Sequence, residues 1–562
     1  MNVTGSEALL LSLIEEGVDT LFGYPGGQII HLYDKLYGYS HRLRHILVRH
    51  EQGAIHAAQG YSRVSGNTGV VLATSGPGAT NIITGLADAM IDSTPLVCIV
   101  GQVGTALLGT DAFQETDFIG MSMPITKWNY QLTRADEVAG VVAKAFYIAG
   151  SGRPGPVVLD FTKVAQMGEC EFAYKKCTHI RSYTPAPNVS QSELAAAAKL
   201  IGEAKKPFAL VGHGVELAQA EQELLALVEK ADIPFGWTLM GKSVAPATHP
   251  LNVGMLGMHG ASAANKKTNE CDVLIAVGMR FSDRVTSDVK AYARQAKIVH
   301  LEIDKSEINK NVKVDLQLHA DLKQSLPLLT QAIAPAKHAE WVASFRPLLD
   351  EDYRRVSQPQ LQPASGSPIT MGEAIHAVSE QCRGNAILVT DVGQQQMMAA
   401  RYFDVCQPRS VVTSGGLGTM GFGLPAAIGA KVAAPQRDVV LFVGDGGIQM
   451  TIQELGTIMQ DSVGVKIVVL NNGFLGMVRQ WQELFYGKRY SATPLCNPDF
   501  VKIGEAYSIR SLRVAERKKL AAAVSEMLTH SGAFLLEVVV QPEDNVFPMI
   551  PGGASLDNIR FE

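Results

Sequence analysis

Charge is scarce in this chain, at 18% of residues, and neither sign dominates: 49 Lys and Arg against 54 Asp and Glu leave a net charge of -5. No basic run or stripe occurs, so the electrostatic footprint of a nucleic-acid-binding protein is missing. No apolar run reaches the roughly 20 residues that cross a bilayer. The opening residues, MNVTGSEALLLSLIEEGV, have no basic segment before their apolar stretch, and no secretory leader is expected. Thr4 and Glu7 there fit a capping box that opens an amphipathic helix. The seven cysteines are odd in number and scattered, with no C-x-x-C pair. That excludes a disulfide framework and a zinc site, and suits reduced thiols in a cytoplasmic protein.

What the chain does have is length and rhythm. Its 562 residues, 46% hydrophobic, are too many for one core and suggest about three domains. Short apolar runs such as GVVLATSGPG, LVCIVGQ, FALVGHG, DVLIAVGMRF, AILVTDVG and VVLFVGDGG alternate with longer helical patterns. This predicts an α/β fold of three doubly wound parallel-sheet domains. Two aperiodic stretches, 165–192 and about 350–368, read as linkers. The expected domains are 1–165, 190–345 and 368–545, with a tail over 546–562. Nearly every run ends in Gly, Asp, Asn or Glu, and in such sheets ligands lie beyond the carboxyl ends of the strands.

One stretch carries chemistry. The runs 439–443 and 467–470 read as buried parallel strands; the first ends in Gly444-Asp445-Gly446 and the second in Asn471-Asn472. The 24 residues between, 447–470, leave room for a turn, one helix and one strand, so both polar ends finish at the same sheet edge. A carboxylate and an amide oxygen converging there suit a hard cation such as Mg²⁺. Gly444, Gly446 and Gly447 let backbone N–H groups approach phosphate oxygens. Gly-Asp-Gly alone would be explained by a plain turn; the pair at this spacing points to a cation-diphosphate site. A competing signal, Gly416 to Gly421, fits G-x-G-x-x-G, a weak match to a NAD site.

The pattern resembles the thiamine-diphosphate motif. On that resemblance Asp445, Asn472 and the Phe474 carbonyl hold Mg²⁺ against the diphosphate. The cofactor also needs a carboxyl group on its aminopyrimidine, and Glu51, straight after the run HILV, is the candidate; its bland alternative is an acid balancing a helix N-terminus. FGYPGG (22–27), RHEQGA (49–54), SGPGATN (75–81), GTDAFQE (109–115), PITK (124–127), SGRPGPV (151–157), LGMHG (256–260), RFSDRV (280–285), SGGLGTMGFGLPAAIGA (414–430) and MVRQWQ (477–482) occur in order over almost the whole chain. Together they resemble the catalytic subunits of the acetohydroxyacid synthase (acetolactate synthase) family.

The resemblance implies a reaction: acetolactate from two pyruvates, or acetohydroxybutyrate from pyruvate and 2-ketobutyrate, at the head of branched-chain amino acid synthesis. It also implies FAD without a redox role in the middle domain, at Arg153, Gly212, Gly214, Met258, His259, Arg280, Asp304 and Asp321. Residue physics alone leaves that domain open between FAD, another nucleotide and an empty scaffold. Gly26 and Gly27 would approach the aminopyrimidine. Val392, Gly393, Gln394, Gln395, Gly418, Gly446 and Gly447 would contact thiamine diphosphate, and Met420 would brace its bent form. Phe113, Gln114 and Lys163 would line the approach to the reactive carbon. Arg284 would grip the acceptor carboxylate, with Trp481 and Met477 shaping its side-chain pocket. A homodimer or dimer of dimers with sites at the subunit interface is implied, and a separate regulatory small subunit is left open.

Some positions depart from the family pattern. Gln395 replaces a frequent His, Thr162-Lys163-Val164 replaces Pro-Lys-Asp, and Ser282 replaces an Asp. Gln28, Gly104 and Gly552 occupy entrance positions that usually hold other residues. Pyruvate oxidase, glyoxylate carboligase and an FAD-free catabolic acetolactate synthase are the neighbouring readings. Glu51 argues against the carboligase, and intact Glu51, Asp445 and Asn472 argue against a catalytically silent partner protein.

Overall fold

The apolar runs quoted above all become parallel strands, in a computed structural model describing residues 1–562. Each is continuously apolar because helices cover both faces of its sheet. Three six-stranded sheets result, every neighbouring pair parallel.

The first sheet runs, in spatial order, Arg44–Leu47, Thr20–Gly23, Gly69–Ala73, Leu96–Gln102, Pro156–Thr162, Trp128–Leu132. The third runs Val411–Val412, Ile387–Thr390, Val439–Gly444, Lys466–Asn471, Phe534–Val539, Arg510–Val514. Numbered within each sheet, both read 2-1-3-4-6-5, so the two share an architecture that no sequence repeat betrays. The middle sheet runs Asn252–Met255, Phe235–Trp237, Pro207–Val211, Val273–Val277, Lys297–Glu302, Leu316–His319. That is order 3-2-1-4-5-6, the arrangement of dinucleotide-binding sheets, with its reversal between the first and fourth strands.

The first and third domains meet most extensively through one helix pair. Glu51–Ser65 crosses Gly423–Ala433 so closely that a Cβ on Gly429 would overlap the Ala57 carbonyl oxygen. The stretch 165–192 is largely irregular, although Glu169–Glu171 pairs antiparallel with Asn2–Thr4 and pins the first strand. The stretch near 350–368, expected as a linker, is helical through Leu361: Arg346–Asp352, a π-turn over Tyr353–Ser357, then Gln358–Leu361. Pro347 and Pro359 fall in first helical turns, where proline is tolerated, so they do not break the path. The tail returns to the middle domain: Ile550 N–H donates to the Met258 carbonyl at 2.8 Å, and Ile550 and Leu556 join that domain's core. Thr4 caps its helix by accepting from Glu7 N–H at 3.3 Å, but the Glu7 carboxylate accepts instead from the Tyr39 hydroxyl at 2.8 Å, so only half the capping box forms. No helix is long and apolar enough to cross a membrane.

Candidate active site

In the third sheet the strand order reverses between Ile387–Thr390 and Val439–Gly444, so their loops part and leave a crevice at the carboxyl edge. Asp391 to Gly393 leave one strand and Asp445 to Gly447 the other. Lys466–Asn471 pairs with Val439–Gly444 and delivers Asn472 beside Asp445. Asp445 is buried; its Oδ2 accepts from Gly473 N–H at 2.9 Å and from Asn497 Nδ2 at 2.6 Å. Asn472 Nδ2 donates to Gln394 Oε1 at 3.3 Å, and its Oδ1 accepts from Phe474 N–H at 3.1 Å. Asp445, Asn472 and Phe474 line one small recess together with Gly393, Gln394 and Gln395. Burial pushes the Asp445 carboxyl up to about 6, against the opposing hydrogen bonds from Asn497 and Gly473. A carboxylate, an amide oxygen and a nearby carbonyl are the donors a hard cation takes. A Cβ at Gly447 would lie 2.6 Å from Asp391 Oδ1 and one at Gly446 2.7 Å from Leu475 Cδ2, so the cradle closes to anything larger than glycine.

A second cavity of about 870 Å³ adjoins the recess. Val392, Gly393, Met420 and Met477 line both, so the two spaces share a wall. Its floor lies at the reversal of the middle sheet, where Gly212 and Gly214 face Gly278; a Cβ at Gly214 would fall 2.7 Å from Gly278 Cα. Arg153, Met258, His259, Arg280 and Asp321 also line it. Asp304 does not; it accepts from Arg153 Nη1 at 3.2 Å and from Ser306 N–H at 2.9 Å. Its oxygens are thus committed within the protein, and Glu302 and Glu307 face the cavity in its place. Burial pushes Glu302 up to about 7 and His259 down to about 4.

Arg284, Met477 and Trp481 also line this cavity. The helix Gly476–Phe485 places Met477 and Trp481 four residues apart on one face, while Arg479 and Gln480 turn into the core. The Arg284 side chain is 65% exposed and lies 4.0 Å from a still more open Asp283, an ion pair worth little. Its Nη1 lies 3.7 Å from Met258 Sδ.

The other residues expected from the first domain lie away from both cavities. Glu51 opens the helix Glu51–Ser65 and accepts from Asn81 Nδ2 at 2.9 Å. Gly26 packs on Thr74, and a Cβ on Gly76 would meet the Gln114 carbonyl oxygen at 3.0 Å. Phe113 is 84% exposed. Lys163 begins the short helix Lys163–Met167 and is half-buried. None of Gly26, Gly27, Glu51, Phe113, Gln114 and Lys163 lines either cavity. Within one chain, Glu51 and Asp445 are therefore not brought together.

Two residues with a place in this site escaped the sequence reading. Asp391, fully buried, accepts from Gly421 N–H at 3.1 Å and Gly423 N–H at 2.8 Å, anchoring the loop that bears Met420. It stands at the end of the run AILVTD, so a strand-end acid was the signal available. Asn497 reaches Asp445 from a loop 52 residues downstream, and no local pattern announces that.

Three family descriptions match the chain in order: "Thiamine pyrophosphate enzyme, N-terminal TPP binding domain" over 3–121, "central domain" over 194–329 and "C-terminal TPP binding domain" over 391–538. A "Probable acetolactate synthase large subunit" of Methanocaldococcus jannaschii is 43% identical over 99% of this chain and 95% of its own length. The "Acetolactate synthase isozyme 2 large subunit" of Escherichia coli is 43% identical over 98% of each chain. The "Acetolactate synthase large subunit" of Lactococcus lactis is 40% identical over 99% of this chain and 96% of its own.

Proposed function

We propose, from the premise that the chain belongs to the thiamine pyrophosphate enzyme family and within it to the acetolactate synthase large subunits, how its residues carry out that transferase activity. The reaction takes carbon dioxide from pyruvate and joins the remaining two carbons to a second keto acid, pyruvate or 2-ketobutyrate. Thiamine pyrophosphate (thiamine diphosphate) supplies the electron sink that makes the decarboxylation feasible.

The observation that carries this reading is the recess at Asp445. Its oxygen donors fit Mg²⁺, and its glycine cradle fits a diphosphate. Asp445, Asn472 and the Phe474 carbonyl would hold the cation. Gln394 and Gln395 would close over the diphosphate from the neighbouring strand end, and Met420 would support the cofactor from the shared wall. Glu51 would hold a proton against the aminopyrimidine nitrogen, its carboxylate fixed by Asn81. Because Glu51 and Asp445 line no common cavity, the reading requires a second copy of the chain to complete each site. Exposed Phe113, Met123 and Met450 are the kind of apolar surface such a copy would cover.

The large cavity fits FAD: a glycine-lined floor at the reversal of a 3-2-1-4-5-6 sheet, with Arg153 beside it. Its share of a wall with the diphosphate recess supports a flavin that shapes the site. Arg284 would bind the acceptor carboxylate and Trp481 its alkyl end. The relatives' designation as large subunits supports a separate small subunit for this chain as well.

The test is acetolactate formation from pyruvate with and without thiamine diphosphate, Mg²⁺ and FAD, in the wild type and in Asp445→Ala. Activity should require thiamine diphosphate and Mg²⁺ and consume no oxygen. Asp445→Ala should be inactive and should no longer bind thiamine diphosphate in a Mg²⁺-dependent titration. Wild-type saturation in that variant would remove Asp445 from the metal site.

A further inference from the structure

The loop 413–421 carries Gly418 and Met420, and it is held from an unexpected direction. The first domain's helix Ile83–Ile91 ends against it with two carboxylates one turn apart, Asp88 and Asp92. Both are buried. Asp92 Oδ2 accepts from Gly415 N–H at 2.8 Å and Oδ1 from Gly416 N–H at 2.7 Å. Asp88 Oδ1 accepts from the hydroxyls of Ser414 and of Thr419, the latter at 3.0 Å. Ser414 Oγ in turn accepts from Thr419 N–H at 2.8 Å. Arg63, equally buried, balances the charge: its Nη2 lies 2.9 Å from Asp92 Oδ2, and its Nη1 donates to the Thr413 carbonyl.

Helix stability does not account for these acids. Carboxylates at a helix C-terminus face the negative end of the macrodipole, the unfavourable position for them. Burying two carboxylates beside one guanidinium is also costly unless their hydrogen bonds are well made. Here three of the four carboxylate oxygens are bonded to one loop, across 326 residues of sequence between Asp88 and Ser414, and only Asp88 Oδ2 is without a partner. That loop needs them. Gly418 adopts φ +72° and the segment has no strand or helix of its own to fix it. Its far end is tied by Asp391, so the two ends of the loop are clamped by carboxylates from two domains.

We propose that Asp88 and Asp92 are positioning residues for thiamine diphosphate: they set the shape of loop 414–421, and through it the placement of Met420, without touching the cofactor. The assignment rests on the reading that this loop faces thiamine diphosphate. It gives the first domain two tasks. Its sheet edge offers Glu51 outward, while the helix Ile83–Ile91 shapes the diphosphate domain of its own chain.

The experiment compares Asp88→Ala, Asp88→Asn and Thr419→Val in the assembled enzyme, by calorimetric titration with thiamine diphosphate at saturating Mg²⁺, by kcat and KM for pyruvate, and by thermal melting. Deleting a buried charge-assisted hydrogen-bond acceptor should weaken thiamine diphosphate binding about 10–100-fold in Asp88→Ala and lower kcat with little change in KM. Thr419→Val removes one of the two bonds from the loop side, leaves the helix untouched and should weaken binding about tenfold. Asp88→Asn keeps an acceptor oxygen and should stay within about threefold of the wild type. Wild-type affinity and kcat in folded Asp88→Ala, with only the melting temperature lowered, would reduce the network to packing and overturn the proposal. If Asp88→Ala does not fold, Thr419→Val decides on the same criterion. A wild type that does not bind thiamine diphosphate would overturn the underlying reading instead.

Discussion

Glu51 and Asn81 form a pair whose behaviour on substitution can be argued from one bond. Asn81 Nδ2 donates to Glu51 Oε2, and a glutamine at position 51 retains an oxygen to accept that bond. What it loses is the capacity to share a proton with the cofactor ring. Glu51→Gln should therefore keep thiamine diphosphate affinity near the wild type while slowing turnover by about 10²–10⁴-fold, the size of a general acid–base contribution. A cofactor titration beside a kcat measurement checks this; near-normal turnover would take Glu51 out of the mechanism. At this scale, legibility followed chemistry that is local in sequence. Asp445 and Asn472 could be read together because one βα unit joins them. Asn497 and Asp88 could not, since each meets its partner only after the chain has folded back over a long interval.

The helix Gly476–Phe485 shows how an element converts spacing into specificity. Met477 and Trp481 share its cavity face, and Trp481 packs against Phe485 with ring centres 5.2 Å apart and planes tilted by 40°, which limits how the indole can turn. The two acceptors differ by one methylene, worth about 10–200-fold in a hydrophobic pocket. Trp481→Leu should reduce the preference for 2-ketobutyrate and leave acetolactate formation comparatively intact. Arg284→Ala should weaken both acceptors together, because each presents the same carboxylate. Competition between the two keto acids, read as the ratio of acetohydroxybutyrate to acetolactate, checks both; an unchanged ratio in Trp481→Leu would make that residue structural. Elements were legible where burial was uniform. The central strands read clearly because both faces are covered. The edge strands Trp128–Leu132, Leu316–His319 and Arg510–Val514 did not stand out because most of each is only half-buried or exposed and polar residues interrupt it, which erases the apolar run. The helices over Arg346–Leu361 were hidden by a proline- and glutamine-rich composition that favours a linker reading.

Across the whole molecule, the domains are joined by groups that the sequence scatters over hundreds of residues, and Glu454 is among the titratable ones. Glu454 of the third domain accepts from the Arg49 backbone N–H at 3.1 and 3.2 Å and from Thr457 Oγ1 at 2.7 Å, with Gly53 packed against its carboxyl. Arg49 Nη2 crosses the same junction to the Gly456 carbonyl at 2.9 Å. Burial pushes Glu454 from its ordinary 4.5 up to about 7, against the hydrogen bonds from Thr457 and Arg49. The folded state thus binds the Glu454 proton more tightly than the unfolded chain does. The resulting stabilisation is fully present below the unfolded value of 4.5 and is lost as pH rises through about 7. Glu454→Gln is neutral throughout and does not titrate. The melting temperature of the wild type relative to this variant should therefore decline between about pH 5 and about pH 8, the variant gaining most at the alkaline end. Paired melts of the assembled enzyme across that range, in one buffer series at fixed cofactor and salt, isolate the effect. A difference that stays constant with pH would mean that ionisation of Glu454 has no part in holding the first and third domains together.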